Sequence, residues 1–135
     1  MTATLADLPL EQKLASGHSH LVEAAAMPWQ PSPFPGIEVK VLYNDPASGL
    51  STMLVKLEPG ACVPLHEHAG LEQTYVLEGS LEDHECAVTA GNFCWRDAGS
   101  IHVAHAPKGA LVLAMFTKPN RFYDESPHMA DAVTA

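Results

Sequence analysis

The chain has 135 residues, 47% of them apolar and 17% charged, and carries a net charge of −9 at neutral pH. That length and balance suit one globular domain with a single core rather than a disordered chain. The acidity argues against nucleic acid as a partner, because the 7 Lys and Arg are scattered and form no basic patch.

Residues 1 to 17 mix small and polar side chains, with a short helix expected around Leu8 to Ala15. The start lacks the basic segment and unbroken apolar stretch of a signal peptide, and no run is long enough to span a bilayer, so a cytoplasmic location is expected. "MPWQPSPFPG" (27 to 36) carries Pro28, Pro31, Pro33 and Pro35, which forbids a helix and predicts an extended arm. Short runs rich in β-branched residues then recur: "IEVKVLY" (37–43), "LSTMLVKLE" (50–58), "QTYVLEG" (73–79), "HECAVT" (84–89), "NFCWR" (92–96), "IHVAHA" (101–106) and "ALVLAMFT" (110–117). Turn residues separate them, among them Pro59-Gly60, Gly79-Ser80, Ala90-Gly91, Ala98-Gly99 and Lys108-Gly109. Short strands at this spacing predict an all-β sandwich or barrel. After Pro119 the pattern fades; Phe122 and Tyr123 are expected to tie back onto the body, and the last ten residues to be loose.

The chemistry concentrates in "GACVPLHEHAGLEQTYVLEG" (60 to 79), which sets His66, His68 and Glu72 close together. Side chains alternate along an extended segment, so His66 and His68 point the same way and Glu67 the other. His-x-His on a strand is a natural two-ligand clamp for a metal. Glu72 follows a glycine that lets the chain bend, and His102 opens a later strand. Three imidazoles and a carboxylate make a mixed nitrogen and oxygen site suited to Fe(II), Mn(II), Ni(II), Zn(II) or Cu(II).

Other candidates read as less chemical. His105 falls on the opposite strand face from His102, His84 sits in a charged turn, and His18 and His20 lie on an exposed arm without a following glutamate. Cys62, Cys86 and Cys94 form no Cys-x-x-Cys pair and are expected to be buried thiols in a reducing compartment. Cys62 shares strand parity with His66 and so is expected to face inward. Tyr43, Met53, Phe93, Trp95 and Met115 are candidates for core or pocket lining. Arg96-Asp97 reads as an exposed loop pair, with an anion-holding cation as the less common outcome.

The segment resembles the first conserved motif of the cupin superfamily, on Gly60, His66, His68, Glu72 and Gly79 with every spacing met. The second cupin motif is matched in part: Gly91, Gly99 and His102 stand at the right offsets, while Asp97 replaces a proline and Ala106 an asparagine. The resemblance implies an all-β double-stranded β-helix, a jelly-roll barrel over residues 37–118, with an N-terminal arm (1–36) and a C-terminal tail (119–135). It also implies His66, His68, Glu72 and His102 at the barrel mouth as metal ligands, and as the catalytic set where there is catalysis. A homodimer packed through the barrel sheets is implied as well.

Trp29 to Gly36, Tyr75 to Gly79 and "KPNRFYD" (118 to 124) are similar to small stand-alone cupins of two kinds. One is the ChrR-type domain of anti-sigma factors, which holds zinc and implies a sensor or binding module. Its anti-sigma role needs a helical domain that this sequence does not read as containing. The other comprises dioxygenases of acetylacetone and 2,4'-dihydroxyacetophenone, which use three histidines and Fe(II) on a small-molecule substrate. From such a site the metal would act as Lewis acid and template. The expectation is an Fe(II)-dependent dioxygenase of a small diketone or hydroxyketone; Glu72 departs from the three-histidine pattern. Cupin isomerases rank last, for want of a basic cluster.

Overall fold

In the computed structural model, residues 4–15 and 17–123 are described. After a 3-10 turn at Leu5–Asp7 comes a short exposed helix, α1 (Leu10–Ala15), which falls inside the expected Leu8 to Ala15. Among the described residues ten strands follow: β1 (Gln30–Pro31), β2 (Ile37–Asp45), β3 (Leu50–Leu57), β4 (Ala61–Glu67), β5 (Glu72–Glu82), β6 (Ala87–Thr89), β7 (Phe93–Arg96), β8 (Ile101–Ala106), β9 (Ala110–Phe116) and β10 (Arg121–Phe122). All pairings are antiparallel, in the order β1-β2-β3-β9-β5-β8-β4-β10, with β6 and β7 pairing β5. The sheet curls on itself into the expected jelly-roll barrel.

Alternation decides which residues fill the barrel. Along β9, Ala110, Val112, Ala114 and Phe116 are buried while the residues between them are half-buried. Along β8, His102, Ala104 and Ala106 are buried and Ile101, Val103 and His105 exposed. Phe34, Ile37, Val39, Val55, Leu57 and Val76 complete the wall. Burying a side chain of this size is worth about 1.5–3 kcal/mol, so this row supplies much of the stability.

The proline-rich arm pairs as a strand, Gln30 with Val39 and Pro31 with Glu38. Trp29 stacks on Lys40, whose Nζ lies 4.7 Å from the ring centroid and donates to the Ala24 carbonyl at 2.7 Å. At the other end β10 pairs β4, and Phe122 packs on Phe34 at 5.0 Å between ring centroids. Tyr123 donates its backbone N–H to Leu65, so both tail aromatics tie back as expected. The loose tail expected over the last ten residues lies outside the described residues. Among the described residues no helix is long and apolar enough to cross a membrane.

Three expectations are corrected. The turn expected at Gly79-Ser80 is absent, because β5 runs straight through to Glu82 and changes partners there: Glu72 to Gly79 pair with β9, and Ser80 to Glu82 with β6. The strand expected from His84 begins only at Ala87, since Asp83 Oδ1 accepts the N–H groups of Glu85 and Cys86 and closes a turn. Cys62 faces solvent, not the barrel, and Cys86 is also exposed. A bulge in β4 between Val63 and His66 inserts one residue against β8, so parity counted from His66 inverts before it.

Gly79 makes the sheet crossing possible. Its φ is +76°, and a Cβ there would run into the Gly109 carbonyl. Gly60 has φ +86° with open space around it. Gly60→Ala should therefore cost only the left-handed backbone penalty, about 1–2 kcal/mol. Gly79→Ala should cost distinctly more, because the clash is with backbone. Thermal unfolding of the two variants side by side checks the ordering.

Candidate metal centre

β4 and β8 deliver the histidines. His66 and His102 are cross-strand partners, and His68 lies just beyond β4, held by its N–H donating to Ser100 O at 2.9 Å and its carbonyl accepting from Gly99 at 2.7 Å. All three rings are buried. Each offers a ring nitrogen to one point, with the three atoms within 4.8 Å of one another. The ring centroids of His66 and His102 are 4.5 Å apart and those of His68 and His102 4.7 Å.

The outer nitrogen of each ring is already engaged. His66 Nδ1 lies 2.7 Å from Pro64 O, and His68 Nδ1 lies 3.0 Å from both Ser100 O and Ser100 Oγ. His102 Nδ1 lies 2.7 Å from Asp83 Oδ2. Carbonyls and carboxylates only accept, so each Nδ1 carries the proton and each Nε2 turns a lone pair inward. Three convergent lone pairs repel unless something positive lies between them.

The distances show that demand. His102 Nε2 and His66 Nε2 stand 3.0 Å apart. His68 Nε2 and Glu72 Oε2 approach to 2.6 Å without hydrogen-bond alignment, and both buried atoms lack a partner. Burial drives the His66 pKa down to about 4, against the opposing effect of the Pro64 carbonyl, so protonation is a poor answer. His102 is lowered too, by burial first and despite the Asp83 carboxylate. A divalent cation fits this donor set, and the three histidines are positioned to bind one. A 3.0 Å nitrogen–nitrogen separation is what two ligands at roughly 2.1 Å from one ion give at about a right angle.

Glu72 opens β5 directly across from Arg96 on β7, and Thr74 Oγ1 donates to its Oε1 at 3.3 Å. Burial alone would raise the Glu72 pKa, but His68 and Arg96 hold it below its ordinary value. Asp83 likewise stays well below the carboxylate range: burial opposes ionisation, yet His102, two backbone N–H groups and Arg96 favour it. The structure thus brings His66, His68, Glu72 and His102 together. It turns His105 and His84 outward and leaves His18 and His20 exposed. Glu67 points away and accepts from Tyr123 OH at 2.5 Å.

Arg96 is a correction: it is buried, not an exposed loop residue, while Asp97 is exposed. Of the five pocket candidates, Met53 is fully buried core, Met115 half-buried, and Tyr43, Phe93 and Trp95 lie on the outside. Asp83 and Ser100 were not legible as partners of the site. The pairing of Glu82 with His105 carries Asp83 alongside β8, and nothing local in "EDHEC" announces that register. Below the histidines lies a cavity of about 60 Å³, walled by Phe34, Val39, Val55 and Phe116 and carrying Arg96 and Glu72 at its polar end.

With this fold and this site, the chain belongs to the ChrR cupin-like domain family, which matches residues 17–121. Among solved structures, a Ralstonia eutropha protein with a cupin-like fold is similar at 29% identity and TM-score 0.63, over 67% of this chain and 60% of that one. The anti-sigma ChrR structure, solved with SigE of Rhodobacter sphaeroides, gives 26% identity and TM-score 0.60 over 68% of this chain and 49% of that one. Acetylacetone dioxygenase of Acinetobacter johnsonii gives TM-score 0.73 at 20% identity over 79% of each chain, a likeness of fold. The chain thus spans less than two thirds of the first two. No protein of curated function matches it by sequence.

Removing a ligand should remove the ion. His66→Ala and His102→Ala are expected to lose most bound metal, and His105→Ala to keep it, as read by elemental analysis of folded protein. Asp83→Asn should weaken binding by roughly 10- to 100-fold, since it loosens the orientation of the His102 ring.

Proposed function

We propose that this protein is a metal-dependent dioxygenase of a small diketone or hydroxyketone, with His66, His68, His102 and Glu72 holding the ion and Fe(II) favoured over Zn, Ni or Mn. The observation that carries the reading is the set of three inward Nε2 atoms, each fixed by an acceptor at Nδ1, above an apolar cavity of about 60 Å³. One water needs about 10–15 Å³ of such space, so the cavity suits a ligand of a few heavy atoms. Bound there, Fe(II) would supply Lewis acidity and redox access to O₂. The apolar wall keeps water from the reacting carbons and orients the substrate. Glu72, ionised and buried, either completes the set around the ion or swings away to take the proton from a carbon flanked by carbonyl groups.

The second reading is a zinc-holding sensor or binding module. Two observations favour it: the family match over residues 17–121, and the Glu72 carboxylate beside His68, which supplies a fourth protein ligand. Elemental analysis of tag-free protein purified anaerobically separates the two. Near-stoichiometric iron with oxygen uptake on diketones supports the oxygenase. Zinc that resists chelation, with no uptake on any diketone or hydroxyketone, supports the module.

We also propose a homodimer in a reducing, cytoplasmic compartment, in keeping with the free thiols of Cys62, Cys86 and Cys94. Tyr75 and Phe93 are cross-strand partners on the outer face of β5 and β7, both exposed, with Trp95 beside Phe93 at 6.3 Å. A second copy would cover this apolar face. Trp95→Glu should then halve the mass measured by light scattering, and an unchanged mass would place the contact elsewhere.

A further inference from the structure

We infer that Arg96 is the anion-recognition residue of the barrel cavity, and that the ligand it recognises is a short-chain monocarboxylate. The inference rests on reading that cavity as the ligand site and goes beyond the ketone class proposed above, since a carboxylate is a second kind of ligand for it. Arg96 is only 8% exposed, and its Nη1 is buried without a hydrogen-bond partner. It lines the same cavity as His66, Glu72 and His102. A buried guanidinium with one unpaired nitrogen is costly unless an acceptor completes it.

The neighbouring carboxylates do not complete it. Asp83 Oδ2 stands 3.5 Å from Arg96 Nη2, too long for a charge-assisted hydrogen bond, and the same oxygen is held by His102 Nδ1 at 2.7 Å. Asp83 Oδ1 is taken by the backbone of Glu85 and Cys86. Glu72, directly across the strand pair from Arg96, turns its Oε2 to His68.

Charge accounting points to a single negative charge on the ligand. Glu72 and Asp83 outnumber Arg96 by one, and a divalent ion at the histidines would leave the buried cluster with one net positive charge. A monoanion neutralises it. The rest of the cavity is walled mainly by Phe34, Val39, Val55, Leu57 and Phe116, with Ser32, Thr74 and Asn120 as polar points, so beyond its charged end the ligand is largely apolar. Arginine suits the planar carboxylate better than lysine, because its fork donates in the carboxylate plane.

The test compares acetate, propionate, butyrate and valerate with their neutral amides, by calorimetric titration of the protein as purified and after metal depletion. Wild type should bind at least one acid better than its amide. Arg96→Gln should weaken that acid by roughly 10- to 100-fold and leave the amide unchanged. Arg96→Lys should recover part of the preference, and metal-depleted wild type should bind the acid more weakly than the loaded protein, because without the ion the buried cluster already carries one net negative charge. Acids and amides binding alike to wild type, a comparison that needs no variant, would overturn the inference. So would a carboxylate preference untouched by Arg96→Gln, which would assign it to the metal alone. Failure of the oxygenase reading shows separately: absent iron and absent oxygen uptake, with the Arg96-dependent preference intact, sinks the reaction and leaves the anion site standing.

Discussion

Three imidazole lone pairs aimed at one point are an unfavourable arrangement, and the rest of the barrel is organised to hold it. Each ring would relax by rotating, or by moving its proton to Nε2, were its Nδ1 not committed to Pro64, Ser100 or Asp83. Those acceptors sit on the strands or in turns bonded to them, so the orientation of the rings inherits the stiffness of the β4–β8 ladder. Placing the ligands on sheet walls holds them more closely than mobile loops would. Burial works with this: it disfavours the imidazolium forms of His66 and His102, and so keeps the lone pairs available.

The second organising element is β5, the strand that belongs to both faces of the barrel. Its first residue is Glu72, and the turn that follows its last residue begins with Asp83. One strand therefore supplies the carboxylate next to His68 and the carboxylate that orients His102, from opposite ends. β7 pairs with the first half of β5 and sets Arg96 opposite Glu72. Gly79 lets β5 pass close under the Gly109 carbonyl as it changes partners. A side chain there would collide with the Gly109 backbone at the point where the strand changes partners.

What could be read in the sequence follows from the range of each physical effect. His66, His68, Glu72 and His102 were legible because motif spacing and strand alternation are local, and the barrel turns that spacing into convergence. Cys62 was misread for the same local reason: alternation holds only as far as the next bulge, and the extra residue between Val63 and His66 inverts it. Arg96 looked like half of a polar loop pair, because its burial depends on pairing with Glu72, a contact between strands distant in sequence. Asp83 was silent, since its role arises from the register of Glu82 against His105. The aromatics Tyr43, Phe93 and Trp95 carried strong apolar signals with no indication of face, and all three point outward.

Glu72 links the two chemical readings of the cavity. Its carboxylate lies between His68, 2.6 Å away, and Arg96, its cross-strand partner. Held toward the histidines, it lowers the charge of a bound cation, fills a position at the ion and leaves the Arg96 fork free for an anionic ligand. Turned toward Arg96, it would satisfy the guanidinium, open that position and remove the anion site. The two orientations compete for the same side chain, and leaving either partner's charge buried and unpaired costs several kcal/mol. A ligand that engages Arg96 therefore favours Glu72 on the metal side, and an ion that rejects a fourth protein ligand favours Glu72 on the arginine side. The preference of this site among metals and its preference among ligands are in this sense one equilibrium, set by the orientation of a single side chain.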